Sequence, residues 1–104
     1  MFYMIGTFNF NRTGYTPEEA ERHYLEHHVP LAKRLPGLRK YVIGTLAETP
    51  RIRPDRHRGA ILAFDTLAAW RTAYWSPVGR ELRTDEHALI ADAQVVLVQG
   101  DEVI

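Results

Sequence analysis

The sequence predicts an α+β domain of order βαββαβ, with a four-stranded antiparallel sheet and its helices on one face. Three observations predict it. Segments 2–10, 38–47, 59–64 and 94–99 are rich in aromatic and β-branched residues and are bounded by turn residues. Two stretches that open on helix-start signals fall between the first and second strands and between the third and fourth. The chain has 104 residues, the length of one domain (1–104) that buries roughly 60–70% of its unfolded surface without staples.

Taken in order, Phe2–Phe10 supplies the first strand, and Asn11–Tyr15, with Gly14, is a turn. Thr16-Pro17-Glu18-Glu19 opens a helix: Thr16 caps, Pro17 fits the first helical position, and Glu19 completes a capping box. That helix runs to about His28. Pro30 disfavours helical geometry at Val29 and removes a backbone donor, so a second short piece, Pro30–Leu35, is expected at an angle before Pro36-Gly37 stops it. A strand over 38–47 leads into a polar, proline-containing loop at 49–58 and a third strand at 59–64. Asp65 or Thr66 then caps a helix with an apolar face of Leu67, Trp70 and Tyr74. Ser76-Pro77 restarts a helix towards Ile90, and 94–99 is the last strand. This order matches the ferredoxin-like split βαβ arrangement.

Ala60–Phe64 and Val95–Val98 do not alternate with polar residues, the pattern of inner strands covered on both faces. With both helices on one side, a second copy is the simplest cover for the other, giving a closed symmetric homodimer. The alternative is an open face that binds a large apolar ligand.

Composition excludes several classes. Thirteen basic and thirteen acidic side chains balance to zero, so no global field favours nucleic acid or an anionic membrane. Without cysteine there is no thiolate nucleophile, Cys-type zinc site or disulfide. The N-terminal apolar run has no basic flank or cleavage site and is too short to span a bilayer. A soluble cytoplasmic protein is expected; an exported one whose signal peptide has been removed is the alternative. No phosphate loop, dinucleotide fingerprint or nucleophile elbow is present.

The most informative stretch is Glu21–Tyr41, which carries His23, His27 and His28 with Tyr24 in two helical turns. At roughly 100° per residue, Ala20, Tyr24, His27 and Leu31 share one stripe, with His23 and His28 on its flanks. Periodicity does not choose among the imidazoles. His28 is distinguished by its expected place at a helix C-terminus, where the dipole favours the protonated form and proton shuttling near neutral pH. The competing reading is that all three are boundary histidines of an amphipathic helix. A metal site is a third: His23 and His27 have i, i+4 ligand spacing, but no HExxH is present, and no metal is expected.

Tyr24 and Tyr41 are candidates to donate hydrogen bonds to a substrate carbonyl or enolate, against a reading as core tyrosines. Trp70, Tyr74 and Trp75 read as helix packing before they read as an aromatic cage. The basic loop Arg51–Arg58 reads as a solvated connection pairing with Glu18 and Glu21 before it reads as an anion site.

Tyr24-x-x-x-His28-x-Pro30-Leu31, followed by Leu35-Pro36-Gly37-Leu38-x-x-Tyr41, resembles the EthD family, as do Phe64-Asp65, Trp70, Ser76-Pro77-x-Gly79 and Asp85. The likeness covers nearly the whole chain. Two departures are Leu89 and Ile90, where the family often has an aromatic residue, and the second histidine at His27; alignment on His-x-Pro-Leu selects His28. The resemblance implies a dimeric α/β barrel with a cleft between helices and sheet. It carries a loose oxidoreductase label, and proteins of similar fold include cofactor-free cyclases, isomerases and quinone-forming monooxygenases.

Residues and resemblance together give the expectation of a small enzyme acting on an apolar aromatic or lactone-like metabolite. His28 and Tyr24 would be catalytic, and His27, Tyr41, Leu31 and Trp70 would contact substrate. The chemistry would be proton transfer or cofactor-independent oxidation, with no cofactor. The alternatives are a carrier or accessory protein of an oxygenase system and, further off, a haem-binding protein.

Overall fold

A computed structural model describes residues 1–104. β1 (Phe2–Phe10) leads to α1 (Pro17–His23), a π-helical turn (Tyr24–His28) and α2 (Val29–Ala32). β2 (Lys40–Thr45), β3 (Arg58–Phe64), α3 (Leu67–Tyr74), α4 (Pro77–Leu89) and β4 (Ile90–Gln99) complete the chain. The sheet has the order β2-β3-β1-β4, antiparallel throughout, as the ferredoxin-like reading requires.

Local chemistry sets the helix starts. Thr16 Oγ1 accepts from the Glu19 amide at 3.2 Å and Glu19 Oε1 accepts from the Thr16 amide at 2.9 Å, the reciprocal capping box. Thr66, not Asp65, caps α3 through the Ala69 amide at 3.0 Å. Ser76 caps α4 through the Gly79 amide at 3.1 Å. Gly79 is required there: a Cβ on it would lie 2.3 Å from the Ala73 carbonyl oxygen.

Three sequence expectations need correction. The helix does not break at Pro30. Val29 keeps helical angles (φ −62°, ψ −48°), and its amide donates five residues back to the Tyr24 carbonyl. The wide π-turn absorbs the irregularity, and Pro30 sits in the first turn of α2, where a missing donor is tolerated. Secondly, β4 is an edge strand rather than an inner one, and it begins at Ile90 rather than Gln94. It is bulged opposite Phe8, with Asp92 in the left-handed region (φ 55°). Thirdly, Leu67 is exposed, and α3 packs instead through Ala73, Tyr74 and the partly buried Trp70.

The sheet register puts Tyr41, Leu62, Met4 and Leu97 in one row across all four strands, on the helix-covered face. The next row, Val42–Ile61–Ile5–Val96, lies on the opposite, helix-free face, where Val42 and Val96 are more than half exposed. Beneath the helices the core divides into two clusters. One is built on Leu31, Leu35, Leu62, Phe64 and Leu82, the other on Phe8, Ala20, Tyr24 and Leu89. The candidate site lies between them. No helix is long and apolar enough to cross a membrane.

Candidate functional site

A cavity of about 290 Å³ separates the helices from the inner face of the sheet. Its floor is apolar: Met4, Gly6, Ala60, Leu62 and Val95 from β1, β3 and β4. Its polar side chains come from the helices and β2: Tyr24, His28, Tyr41, Tyr74 and Glu86, with Arg83 and the exposed His87. The volume is roughly twice that of an engineered cavity of about 150 Å³ that holds benzene, room for one or two rings.

His28 is only 5% exposed. Its Nδ1 lies 2.8 Å from Asp85 Oδ2, so Nδ1–H donates to the carboxylate and Nε2 is left as the proton acceptor. The sequence predicts His28 at a helix end, where the dipole would favour its charged form. That is corrected: His28 lies within a continuous helical run, and burial pushes its imidazole below the ordinary 6.5, with the Asp85 hydrogen bond and charge opposing the shift only in part. Burial thus favours the neutral imidazole.

Asp85 belongs to the family likeness, and nothing in the sequence assigns it a role. It is a single carboxylate shared by two histidines, with Oδ1 2.6 Å from His23 Nε2. Burial would raise its pKa, but the hydrogen bonds and charges of His23 and His28 outweigh burial and hold it below the ordinary range. His23, His27 and Asp85 offer atoms within 4.8 Å of one another, compact enough for a metal ion. Both Asp85 oxygens are nevertheless engaged by His23 and His28, and His27 Nε2 stands off at 3.9 Å. We read a hydrogen-bonded cluster.

Tyr24 stacks on His28, with ring centroids 5.4 Å apart and planes at 21°, an i, i+4 contact across the π-turn. The residue is 1% exposed, and its buried hydroxyl has no hydrogen-bond partner. Burial pushes that hydroxyl up to about 12; Tyr41 interacts with it through space without reaching hydrogen-bond geometry. Burial raises the Tyr41 and Tyr74 hydroxyls as well, so all three phenols stay protonated. An orphaned hydroxyl on a cavity wall is a cost that a bound ligand oxygen would remove.

Glu86, the residue after Asp85, reaches the cavity itself. Burial, joined by the Asp85 charge, raises its carboxyl from 4.5 to about 7, with Arg83 and Tyr74 opposing. Sequence reasoning missed it because α4 reads Arg83-Thr84-Asp85-Glu86-His87, a run of solvated charge.

Of the other candidates, Tyr41 lines the cavity. His27 and Leu31 do not: they border a separate outer groove with Arg34 and Asp85. Trp70 does not line it either; it packs on Phe2 at 5.7 Å and donates Nε1–H to Met4 Sδ at 3.3 Å. In the basic loop region, Arg58 and His57 pair with Glu21, and Arg58 lies over the Tyr24 ring. Arg56 donates to the Asp92 carbonyl at 2.6 Å.

The model of the EthD domain matches residues 12–93. The chain belongs to the EthD family. Among solved structures, it is similar to an EthD-family protein of Bacillus halodurans C-125, with a TM-score of 0.82 at 16% identity over 97% of this chain and 99% of that one. It is also similar to SnoaB of Streptomyces nogalater, described as a cofactor-independent oxygenase, with a TM-score of 0.66 at 20% identity over 99% and 95%. A dimeric ferredoxin-like protein of Thermobifida fusca YX has a TM-score of 0.68 at 19% identity over 93% and 88%. These likenesses show the fold. No curated protein matches the sequence.

Proposed function

We propose that this EthD protein is a small enzyme in which neutral His28, fixed by Asp85, removes a proton from an apolar aromatic or lactone-like substrate of one or two rings. Tyr24 and Tyr41 donate hydrogen bonds to the substrate oxygen on which charge develops. The observation that carries the reading is a buried imidazole with Nδ1 tied to a carboxylate, on the same apolar cavity as a phenol that lacks a partner. The reaction is proton transfer without a cofactor: isomerisation, dehydration or cyclisation, or the deprotonation that opens a cofactor-independent oxidation.

The reading includes a homodimer. The Val42–Ile61–Ile5–Val96 row offers a continuous apolar surface on the helix-free face, and burying it against a second copy gains about 25 cal/mol per Å². Several solved neighbours are described as dimeric.

A panel of one- and two-ring carbonyl compounds and lactones, incubated with the protein in D₂O and followed by mass spectrometry, tests the assignment. Solvent deuterium entering a carbon position faster than in buffer is expected. Tight binding across the panel with no exchange would favour a carrier instead.

A further inference from the structure

His28 as the sole proton-transfer group leaves the acidic side chain on the cavity wall, Glu86, without a role. Glu86 is an acidic side chain placed among apolar walls and phenols. Asp85 and Glu86 are adjacent on α4 but serve opposite sides of the site. Asp85 holds the far nitrogen of His28 from outside the cavity, whereas Glu86 enters the cavity from the helix. Strands β1, β3 and β4 bring no titratable side chain to this space.

We propose that Glu86 is a second catalytic residue, the acid that protonates a substrate oxygen as His28 removes a proton from carbon, and that the reaction class is a keto–enol or double-bond shift on a neutral cyclic ketone or lactone. The proposal rests on the His28 reading and extends it. In the forward step the C–H bond breaks, its proton goes to His28 Nε2, and its electron pair forms a carbon–carbon double bond. The carbonyl π electrons move to oxygen, which takes the Glu86 proton. The products are an enol, an imidazolium and a carboxylate. On a β,γ-unsaturated substrate the enol is a dienol, and return of the His28 proton to its far carbon, with Glu86 recovering the hydroxyl proton, completes a double-bond migration that needs no oxidant; on a saturated ketone the proton returns to the carbon it left, and the step is reversible enolisation. Tyr24 and Tyr41 hold the oxygen by hydrogen bonds, and the three protonated phenols of the cavity, Tyr74 included, do not compete as bases.

The two groups suit this division. His28 is neutral because burial disfavours its charge, and Glu86 keeps a proton to about 7 for the same reason. Tyr74 from α3 and Arg83 and Asp85 on α4 act on Glu86 directly, and the cavity it enters is also lined by Tyr41 from β2, Tyr24 and His28 from the first helical run, and His87 on α4. The neighbouring Asp85 charge raises Glu86 and Arg83 lowers it. As an acid, Glu86 works below its pKa; as a base, His28 works above its own. The rate therefore follows a bell whose alkaline limb belongs to Glu86.

The test uses deuterium incorporation at C1 of 2-tetralone, a two-ring carbon acid, from pH 5 to 9. Glu86→Gln is expected to lower exchange about 10²-fold and to abolish the alkaline limb, a change that a merely structural role would not produce. Carboxyl ¹³C NMR provides a second readout on the unaltered protein: Glu86 should titrate near neutrality, with a midpoint that moves when 2-naphthol fills the cavity. A Glu86→Gln protein with wild-type rate and profile, alongside an inactive His28→Ala protein, would overturn the Glu86 role alone. So would a Glu86 carboxyl that titrates in the ordinary range and ignores 2-naphthol. Absence of exchange in the wild type would overturn both assignments.

Discussion

Asp85 Oδ2 sits 2.8 Å from His28 Nδ1, joining α4 to the first helical run across 57 residues of sequence. That contact fixes the imidazole tautomer and leaves Nε2 to take a proton. Asp85→Asn keeps the shape but removes the charge. Because the Asp85 hydrogen bond and charge raise the His28 pKa, the variant's imidazole is expected to titrate still lower in a histidine NMR titration. Proton-transfer activity is expected to fall by about 10²-fold. An unchanged His28 titration would mean that the carboxylate does not control it.

Glu86 links function to stability. Its folded-state pKa is raised from 4.5 to about 7, so between those values the folded state binds more protons than the unfolded chain. Stability is therefore lost as pH rises through this window. Glu86→Gln should be near-neutral at pH 5 and stabilising at pH 8, on the order of 3 kcal/mol at most. Urea denaturation at both pH values checks it; equal effects at the two would show that Glu86 has an ordinary pKa.

Tyr24 makes the opposite kind of case. Leaving a buried hydroxyl unpaired costs about 1–3 kcal/mol, so Tyr24→Phe is expected to fold at least as stably as the wild type. It is also expected to bind 2-naphthol more weakly, because the ligand oxygen loses its donor. A strongly destabilised variant would reveal a protein partner for the hydroxyl.

Gly79 decides how closely α3 and α4 meet. Ala would gain about 1 kcal/mol of helix propensity, but its Cβ would stand 2.3 Å from the Ala73 carbonyl oxygen and 2.4 Å from that of Tyr74. Both neighbours are backbone, so relief means shifting a helix, at a typical cost of about 1–3 kcal/mol. The clash is expected to win, and Gly79→Ala should melt several degrees lower by calorimetry. A higher Tm would show that the turn yields.

How much of this was legible in the sequence follows from the range of each signal. Thr16-Pro17-Glu18-Glu19 is a local code, and it gave the helix start. The six elements followed from equally local cues. Pro30 carries a local penalty that predicts a break, but a π-turn spreads that penalty over Tyr24–Val29. Val95–Val98 reads as buried because it is apolar, yet strand order, a long-range property, puts it at an edge. The His28 motif was legible and its partner was not: no periodicity within one helix reports an aspartate on another. Asp85 and Glu86 look like solvated charges until α4 is docked, and only docking separates the residue that holds His28 from the residue that enters the cavity.

The basic loop gives a graded expectation. Arg51 and Arg53 are exposed, and their replacement by serine should leave Tm unchanged. Arg56 donates to the Asp92 carbonyl beside the β4 bulge, so Arg56→Ser is expected to cost about 1 kcal/mol. Thermal melts of the double and single variants separate the two; a large loss from Arg51 and Arg53 would make the loop an interface.

The most direct measurement compares wild type with His28→Ala, both shown folded by circular dichroism, in solvent-deuterium incorporation into 2-tetralone at pH 7. The expected result is wild-type exchange well above buffer and a loss of ~10²–10⁴-fold in the variant, with 2-naphthol binding retained. Full exchange in a folded His28→Ala protein would contradict the assignment of His28 as the proton acceptor.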